Sequence, residues 1–330
     1  MRIERARIDT SARRLEWAAL TGRQFAELDR RRTVAVVSCS PLEVHGPHLP
    51  VMADMFESEA IAVRTMERLA QRIDDLQYVH LPPIYVASDV LPRAGSVMFQ
   101  PRTVLRVMED LGRTLAVQGF RHIWVVSFHG GPRHFVPLEM ACDRVNRRYG
   151  TAMVSVFSLL LQRLTGGRTD APELFSHLPG LSRDTLEGDA HGGVIETSLL
   201  LHLVSELVDP SFSELEPKTI GLELQRAGRA PLYAGERPTL RELLRGLYEK
   251  VRYYGRQTYA GRPALATPQL GEQMLEVLTG HATDALADLY AGNIAPEQWR
   301  SPLWPVRWIF LNRPLGWAAE RAMGYRRRIF

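Results

Sequence analysis

Side chains that bind metal ions are concentrated in one short stretch of the chain, PLEVHGPHLPVMAD at positions 41–54. Glu43 and His45 are two residues apart, which places both on the same face of an extended segment. His48 and Asp54 follow within a few residues. Carboxylate and imidazole together suit Zn, Mn or Fe, and a carboxylate can bridge two such ions. The stretch therefore predicts a metal site, and the alternative is that its histidines only support a Pro-rich loop.

Two later segments repeat this combination of ligand-type side chains and glycine. His129 follows the apolar run IWVVSF and precedes a Gly-Gly pair. Asp189, His191 and Glu196 lie in EGDAHGGVIETS, which contains a second Gly-Gly pair. Glycine lets a backbone approach a ligand closely. We expect the three segments to meet and to form one site.

Apolar strands and amphipathic helices alternate along the first half of the chain. Strands, with the loops they enter, are predicted at 33–40, 78–88, 122–131 and 151–160, and helices at 57–73, 101–119 and 135–150. The alternation is typical of βαβ units and predicts a three-layer α/β fold, in which a mostly parallel central sheet has helices on both faces. Ligands bind beyond the carboxyl ends of the strands in such folds, which is where the candidate residues follow their strands.

The second half of the chain is less regular. Residues 163–190 hold four glycines and two prolines without a clear period, which is typical of a functional or mobile loop. We expect this segment to form part of a lid that selects the substrate. Residues 192–209 have the pattern of an amphipathic helix, and residues 279–293 are also predicted to be helical.

The composition of the 330-residue chain is that of a globular protein, with 45% hydrophobic residues and a net charge of +4. Its two cysteines, Cys39 and Cys142, cannot form a disulfide framework and belong to no CxxC pair, so we expect a reducing, cytoplasmic location. No apolar run is long enough to span a membrane, and the charged N-terminus does not have the pattern of a signal peptide.

The C-terminal residues differ in kind from the rest. Residues 301–330 carry six arginines and one acid, and four of the six tryptophans lie from Trp299 onward. No helix-turn-helix, RNA-recognition or zinc-finger pattern accompanies this charge, so we expect no nucleic-acid partner. We predict a domain at 1–295 followed by an extension at 296–330. The extension either lies on a membrane surface or packs on the body or a neighbouring subunit.

Four motifs, in order, resemble the creatininase (creatinine amidohydrolase) family. PLEVHGPHLPVMADMFESEAIA resembles its Glu-x-His-Gly-Pro-His-Leu-Pro signature with the Asp that follows, and SFHGG resembles its Asn-Gly-His-Gly-Gly-Asn loop. DAHGGVIETSLLL is similar to its His-Ala-Gly-x-x-Glu-Thr-Ser segment, and RPALATPQLGEQMLE is similar to its closing Ala-Thr-x-x-x-Gly helix. The resemblance extends over roughly residues 15–280.

The resemblance implies an α/β metal-dependent amidohydrolase that is usually a homohexamer and uses two divalent ions, Zn, Mn or Fe. By position, the metal ligands implied are Glu43, His45, Asp54, His129 and Glu196. Asp54 would bridge the two ions, and His48 would only support the loop. In creatininase itself a Glu stands two residues after the His of the Gly-Gly loop, where this chain has Gly131, and Glu196 is the candidate that replaces it.

Two residues of the third motif are the catalytic candidates. His191 matches the family's catalytic histidine and would act as a general acid or proton shuttle. Asp189 would orient His191 or bind substrate, and the alternative is an acid that only starts a helix.

The function implied is hydrolysis of a C–N bond in a small amide, cyclic amide or formamide by a metal-activated water. The missing second-site Glu places the chain closer to the formamide hydrolases of deazaflavin and riboflavin biosynthesis, and to the mycofactocin-type peptidase, than to creatininase. The alternatives are a peptidase acting on a small modified precursor peptide and a non-catalytic scaffold.

Overall fold

The structure, a computed structural model, describes residues 13–74, 76–165, 172–232, 240–294 and 296–324. In these ranges the strands are β1 (Arg14–Glu16), β2 (Thr33–Ser38), β3 (Gln77–His80), β4 (His122–Val126) and β5 (Ala152–Ser155). The helices of the first half are α1 (Gly22–Glu27), α2 (Ala53–Arg72), α3 (Pro101–Val117), α4 (Pro132–Tyr149) and α5 (Val156–Thr165). Those of the second half are α6 (Pro172–Phe175), α7 (Arg183–Leu186), α8 (Val194–Val204), α9 (Ile220–Arg226), α10 (Leu240–Tyr254), α11 (Pro268–Tyr290) and α12 (Arg313–Ala322).

The strands form one parallel sheet in the order β1-β3-β2-β4-β5. From β2 the chain moves to β3 on one side, and from β3 through β4 to β5 it moves in the opposite direction. Because such crossovers are right-handed, α2 lies on one face of the sheet and α3 and α4 lie on the other. The predicted three-layer α/β fold with a parallel central sheet is confirmed.

The core lies between the sheet and these helices. All six residues of β2 are buried, as expected for the central strand of a parallel sheet covered on both faces. Helix α3 packs along α4 on one face of the sheet. Helix α11 packs against α2, which lies on the other face, and also against α5 and α8. Helix α2 packs between the sheet and α8. Asp54 lies in the first turn of α2 and Glu196 in the first turn of α8, so this packing brings the two acids to the same region.

The strand predicted at 151–160 is wrong beyond residue 155. Only Ala152–Ser155 is strand, and α5 begins directly at Val156. The hydroxyl of Ser155 accepts from the backbone amide of Ser158 and so supports the first turn of the helix. A short apolar run fits a buried strand and a buried helix equally well, which is why the pattern alone misassigned it.

Two helices of the second half differ in length from the prediction. Helix α8 ends at Val204, and a 3-10 turn follows before Pro210. Helix α11 begins at Pro268 rather than at 279, because the side chain of Thr267 accepts from the amide of Leu270 and proline is tolerated in the first turn.

The segment predicted as a lid is structured where the structure describes it. Residues 163–165 end α5, residues 166–171 lie outside the described residues, and the remainder consists of turns that connect the short helices α6 and α7. Phe175, Leu178 and Leu186 are buried and belong to the core cluster. This part of the segment is therefore anchored to the body, and its role in selecting substrate stays a prediction.

The described part of the C-terminal segment, residues 296–324, packs on the body near Trp299 and again near Glu320, which pairs with Arg133 of α4. Trp299 is 2% exposed, and the amide and hydroxyl of Ser301 both donate to the Glu139 carboxylate of α4. Arg300 pairs with Asp143 of the same helix. Within the described ranges, no helix is both long and apolar enough to cross a membrane.

Candidate metal centre

The candidate residues gather at the carboxyl ends of β2 and β4. These neighbouring strands continue in opposite directions across the sheet, which opens a crevice between the loops that follow them. Glu43 and His45 follow β2, His129 follows β4, and Asp54 lies in the first turn of α2. In doubly wound sheets ligands bind in this crevice. Glu196, in the first turn of α8, reaches the crevice from the side because α8 packs on α2.

One group of possible ligands consists of Glu43, Asp54 and His129. The Nδ1 atom of His129 lies 3.3 Å from Oε2 of Glu43 and 3.6 Å from Oδ1 of Asp54. All three side chains are buried, so water does not compete freely for them. Two carboxylates and one imidazole around a single point can hold a divalent ion.

A second group shares one residue with the first. It consists of His45, Asp54 and Glu196. The Nε2 atom of His45 lies 3.5 Å from Oδ2 of Asp54 and 3.7 Å from Oε2 of Glu196. Asp54 therefore directs one oxygen to each group, which is the arrangement a carboxylate takes when it bridges two ions.

Backbone carbonyls orient both imidazole rings. Nδ1 of His45 lies 3.0 Å from the carbonyl oxygen of Glu43, and Nε2 of His129 lies 3.1 Å from that of Ser88. A carbonyl only accepts, so these nitrogens carry the hydrogens and donate. The other nitrogen of each ring faces the carboxylates and, when deprotonated, offers the lone pair that a metal-ligating histidine requires.

Buried polar atoms without hydrogen-bond partners support a metal site in this cluster. Oε2 of Glu43, Nε2 of His45 and Oδ2 of Asp54 have no hydrogen-bond partner, although each is inaccessible to solvent. Buried polar atoms in native proteins are normally paired, because an unpaired one loses its interaction with water without compensation. Divalent ions ligated by these atoms would supply the missing partner for all three.

The charges of the cluster are tightly linked. Burial opposes protonation of His129, but the Asp54 and Glu43 carboxylates outweigh it and raise its pKa to about 9. Burial raises the pKa of Glu43 to about 7. Burial would also raise the pKa of Asp54, but His45 and His129 hold it well below its usual range. Without cations the cluster therefore retains protons at neutral pH, and metal binding would release them.

His191 lies over the same cluster. Its ring stacks on His45 with the centroids 4.0 Å apart, and its Nε2 lies 2.8 Å from the carbonyl oxygen of Val44. Burial and the neighbouring His45 lower the pKa of His191 well below its usual value, so the ring is neutral at pH 7. Since Nε2 donates to a carbonyl, Nδ1 is left as the proton acceptor. His191 also forms a group of possible ligands with Glu43 and His45.

Asp189 is placed at the start of α8 rather than on His191. Its carboxylate accepts from the backbone amides of Val194 and Ile195, at 2.6 and 3.3 Å. The contact needs a glycine at 193, since a Cβ there would lie 2.1 Å from an Asp189 oxygen. Of the two interpretations of Asp189, these contacts support the acid that starts a helix.

We expect Asp189→Ala to lower the free energy of unfolding by about 1–2 kcal/mol, because it leaves two amides at the start of α8 without their acceptor. Ser182→Ala, which removes an exposed cap from the four-residue α7, is the control and should cost about 0.5 kcal/mol or less. Urea denaturation measures both. Equal losses would contradict the role given to Asp189.

His48, the remaining histidine of the first motif, lies beside the cluster. Its Nε2 is hydrogen-bonded to the Thr197 hydroxyl at 2.8 Å, and it belongs to no ligand group, as expected for a supporting residue. Phe128, next to His129, is partly buried against the core. Arg93 donates to the carbonyls of Tyr254 and Met323, and Arg133 pairs with Glu320.

The sequence of the chain decides its family. The family profile described as creatinine amidohydrolase matches residues 18–286, which is most of the chain. The chain belongs to the creatininase family. No curated protein sequence matches it.

Solved structures of creatininases share the fold of this creatininase-family protein. A manganese creatininase and a creatininase mutant of the Zn-Zn type each match with a TM-score of 0.57 and 20% identity, over 83% of this chain and 97% of theirs. A Bacteroides fragilis NCTC 9343 protein assigned as a creatinine amidohydrolase matches with a TM-score of 0.56 and 19% identity, over 84% of this chain and 97% of its own. At this identity the match shows the fold.

No side chain fits at Gly131 in this creatininase-family protein without displacing its neighbours. A Cβ at this position would lie 2.7 Å from Nε2 of His129 and 2.8 Å from the Cβ of Asp89. A glutamate here would therefore push the His129 ring away from the Ser88 carbonyl. The local packing agrees with a second group completed by Glu196 from α8.

Sequence reasoning missed a buried acid and two backbone contacts at the centre. Glu57 is 1% exposed and lies one turn after Asp54 on α2. The backbone amide of Leu91 donates to Oε1 of Glu43 at 2.6 Å, and the Ser88 carbonyl orients His129. The three-residue spacing of Glu57 from Asp54 was a usable signal, because residues at i and i+3 share a helix face. The backbone contacts leave no signal in the side-chain sequence.

Proposed function

We propose that this creatininase-family protein is a two-metal amidohydrolase that cleaves the C–N bond of a small amide, cyclic amide or formamide. The observation that carries the proposal is the pair of buried ligand groups that share Asp54, each with unpartnered ligand atoms. Glu43, Asp54 and His129 would hold one ion, and His45, Asp54 and Glu196 would hold the other. Such ions, when bound, polarise an amide carbonyl and lower the pKa of water toward neutrality.

In this proposal His191 moves the proton. Its ring is neutral at pH 7 because burial lowers its pKa, so its Nδ1 can accept a proton and deliver it to the leaving nitrogen. The Val44 carbonyl fixes the tautomer of His191. The rings of His191 and Tyr254 make an edge-to-face contact, with their centroids 6.0 Å apart. Asp189 acts on this step only through the position of α8.

The second group supports a choice of substrate class. Because Gly131 leaves no room for a carboxylate and Glu196 stands in the group instead, we propose that the protein is closer to the formamide hydrolases and the mycofactocin-type peptidase than to creatininase. We further propose the family's homohexamer, in the cytoplasm, and Zn, Mn or Fe as the metal. Formamides, cyclic amides and short peptides are the substrates to screen, and activity on peptides alone would favour the peptidase.

We expect the purified protein to hold two ions per subunit and Glu196→Gln to hold about one. The neutral amide of Gln is a much weaker metal ligand than the carboxylate that faces Nε2 of His45 in the second group. Elemental analysis measures the content. Glu187→Gln, nine residues earlier in the sequence and in the exposed turn after α7, is the control and should keep both ions. A wild-type protein that binds no metal after reloading would instead support the scaffold.

A further inference from the structure

Glu57 is a buried carboxyl group that neither the fold nor the two ligand groups use. It is 1% exposed, and neither of its carboxyl oxygens has a hydrogen-bond partner. Removing an ionised carboxylate from water without a partner costs several kcal/mol, so such a group in a native protein needs a proton or a cation. The packing of Glu57 alone does not explain why an acid occupies this position.

Glu57 lies on the side of α2 that carries Asp54, a member of the second ligand group. It follows Asp54 by three residues and therefore shares its helix face. Helix α2 packs on α8, which carries Glu196 in its first turn. Burial raises the pKa of Glu57 well above its usual value, the Glu196 and Asp54 carboxylates raise it further, and His45 opposes them.

We propose that Glu57 is a fourth protein ligand of the second metal ion, beside His45, Asp54 and Glu196. The inference rests on the two-metal site of the proposed function and adds a residue to it. A divalent ion at the second group would give the orphaned carboxylate its partner. Glu57 stands outside the groups whose ligand atoms already lie within 4.8 Å of one another, but it shares one helix turn with Asp54, so rotation of its side chain without a shift of the backbone would bring the carboxylate to the ion.

Charge balance supports the assignment. Glu43, Asp54 and Glu196 carry three negative charges when ionised, and Glu57 brings the total to four, which equals the charge of two divalent ions. The second ion would then have three carboxylates and one imidazole, a more oxygen-rich set than that of the first ion. Carboxylate-rich sets suit Mn²⁺, so we expect the second site to accept Mn²⁺ readily.

The test is a Mn²⁺ titration of the full-length protein, followed by electron paramagnetic resonance and by thermal unfolding. We expect two ions in the wild type, and in Glu57→Gln a weakening of the second ion by about tenfold or more with the first ion unchanged. Glu59→Gln is the matched control. It lies on the same helix but is only partly buried and faces His80, so both ions should bind as in the wild type.

A second variant separates ligation from simple burial. Glu57→Leu should unfold at a higher temperature than the wild type without metal, because an uncompensated buried acid is gone, and should gain less from Mn²⁺. Wild-type affinity for the second ion in Glu57→Gln would overturn the role of Glu57 while leaving the two-metal site intact. A wild type that binds no ion would overturn the two-metal site, and the role of Glu57 with it.

Discussion

Asp54→Asn is expected to remove both metal ions and to reduce amide hydrolysis by roughly a thousandfold or more. Asp54 is the residue common to both ligand groups, with Oδ1 near His129 and Oδ2 near His45. Asparagine keeps the shape of the side chain but replaces one oxygen by an NH2 group that cannot bind a cation, and it removes the negative charge that both ions share. Metal analysis and single-turnover hydrolysis measure the two losses separately.

Asp143→Asn is the control for this experiment. Asp143 is as buried as a site residue but lies on α4, where it pairs with Arg300 and Arg147. We expect this variant to keep both ions and its activity, with at most a loss of stability. If Asp54→Asn still bound two ions, the bridging role of Asp54 would be wrong, and the two groups would have to act independently.

The second large effect is expected on stability. Trp299→Ala should lower the free energy of unfolding by about 3–5 kcal/mol, because it empties a volume that a 2% exposed indole fills beside α5. Trp308→Ala is the control. Its side chain is 57% exposed and contacts Arg307 through a cation–π interaction, so its loss should cost about 1 kcal/mol or less. Chemical denaturation of both variants measures the difference.

This pair of variants also distinguishes two kinds of tryptophan in the C-terminal segment. A large cost for Trp299 with a small one for Trp308 would mean that the Trp299 indole anchors the segment to the body, whereas the Trp308 indole lies on an exposed surface. Pelleting of Trp308→Ala with anionic liposomes, compared with the oligomer mass, then separates a membrane surface from a subunit interface. Equal costs for the two tryptophans would contradict the packing described.

Much of the centre was predictable from short motifs. Glu43, His45 and Asp54 lie close together in sequence, and His129 and Glu196 each stand beside a Gly-Gly pair after a strand or before a helix. The parallel sheet was predictable as well, and its topology requires the loops after β2 and β4 to meet. The structure places all five in two groups around Asp54.

Other features depend on contacts that no local pattern contains. Glu57 shares a helix face with Asp54, but its burial depends on tertiary packing around α2, of which the contact with α8 is part. Asp189 stands two residues from His191 in sequence, yet its carboxylate turns to the amides of α8. The apolar run after residue 155 continues as a helix because a serine hydroxyl supports its first turn.

The sequence by itself determined the ligand types, the order of strands and helices and the family, because each of these depends on residues that are neighbours along the chain or on a linear motif. Tertiary structure decided which atoms face each other. The carbonyls of Ser88, Val44 and Glu43 orient the rings of three histidines, and the packing of α2 on α8 brings together the helices that carry Glu57 and Glu196. A hydrogen bond to a backbone carbonyl depends on how distant segments meet and not on side-chain identity, so it can be read only from the folded chain.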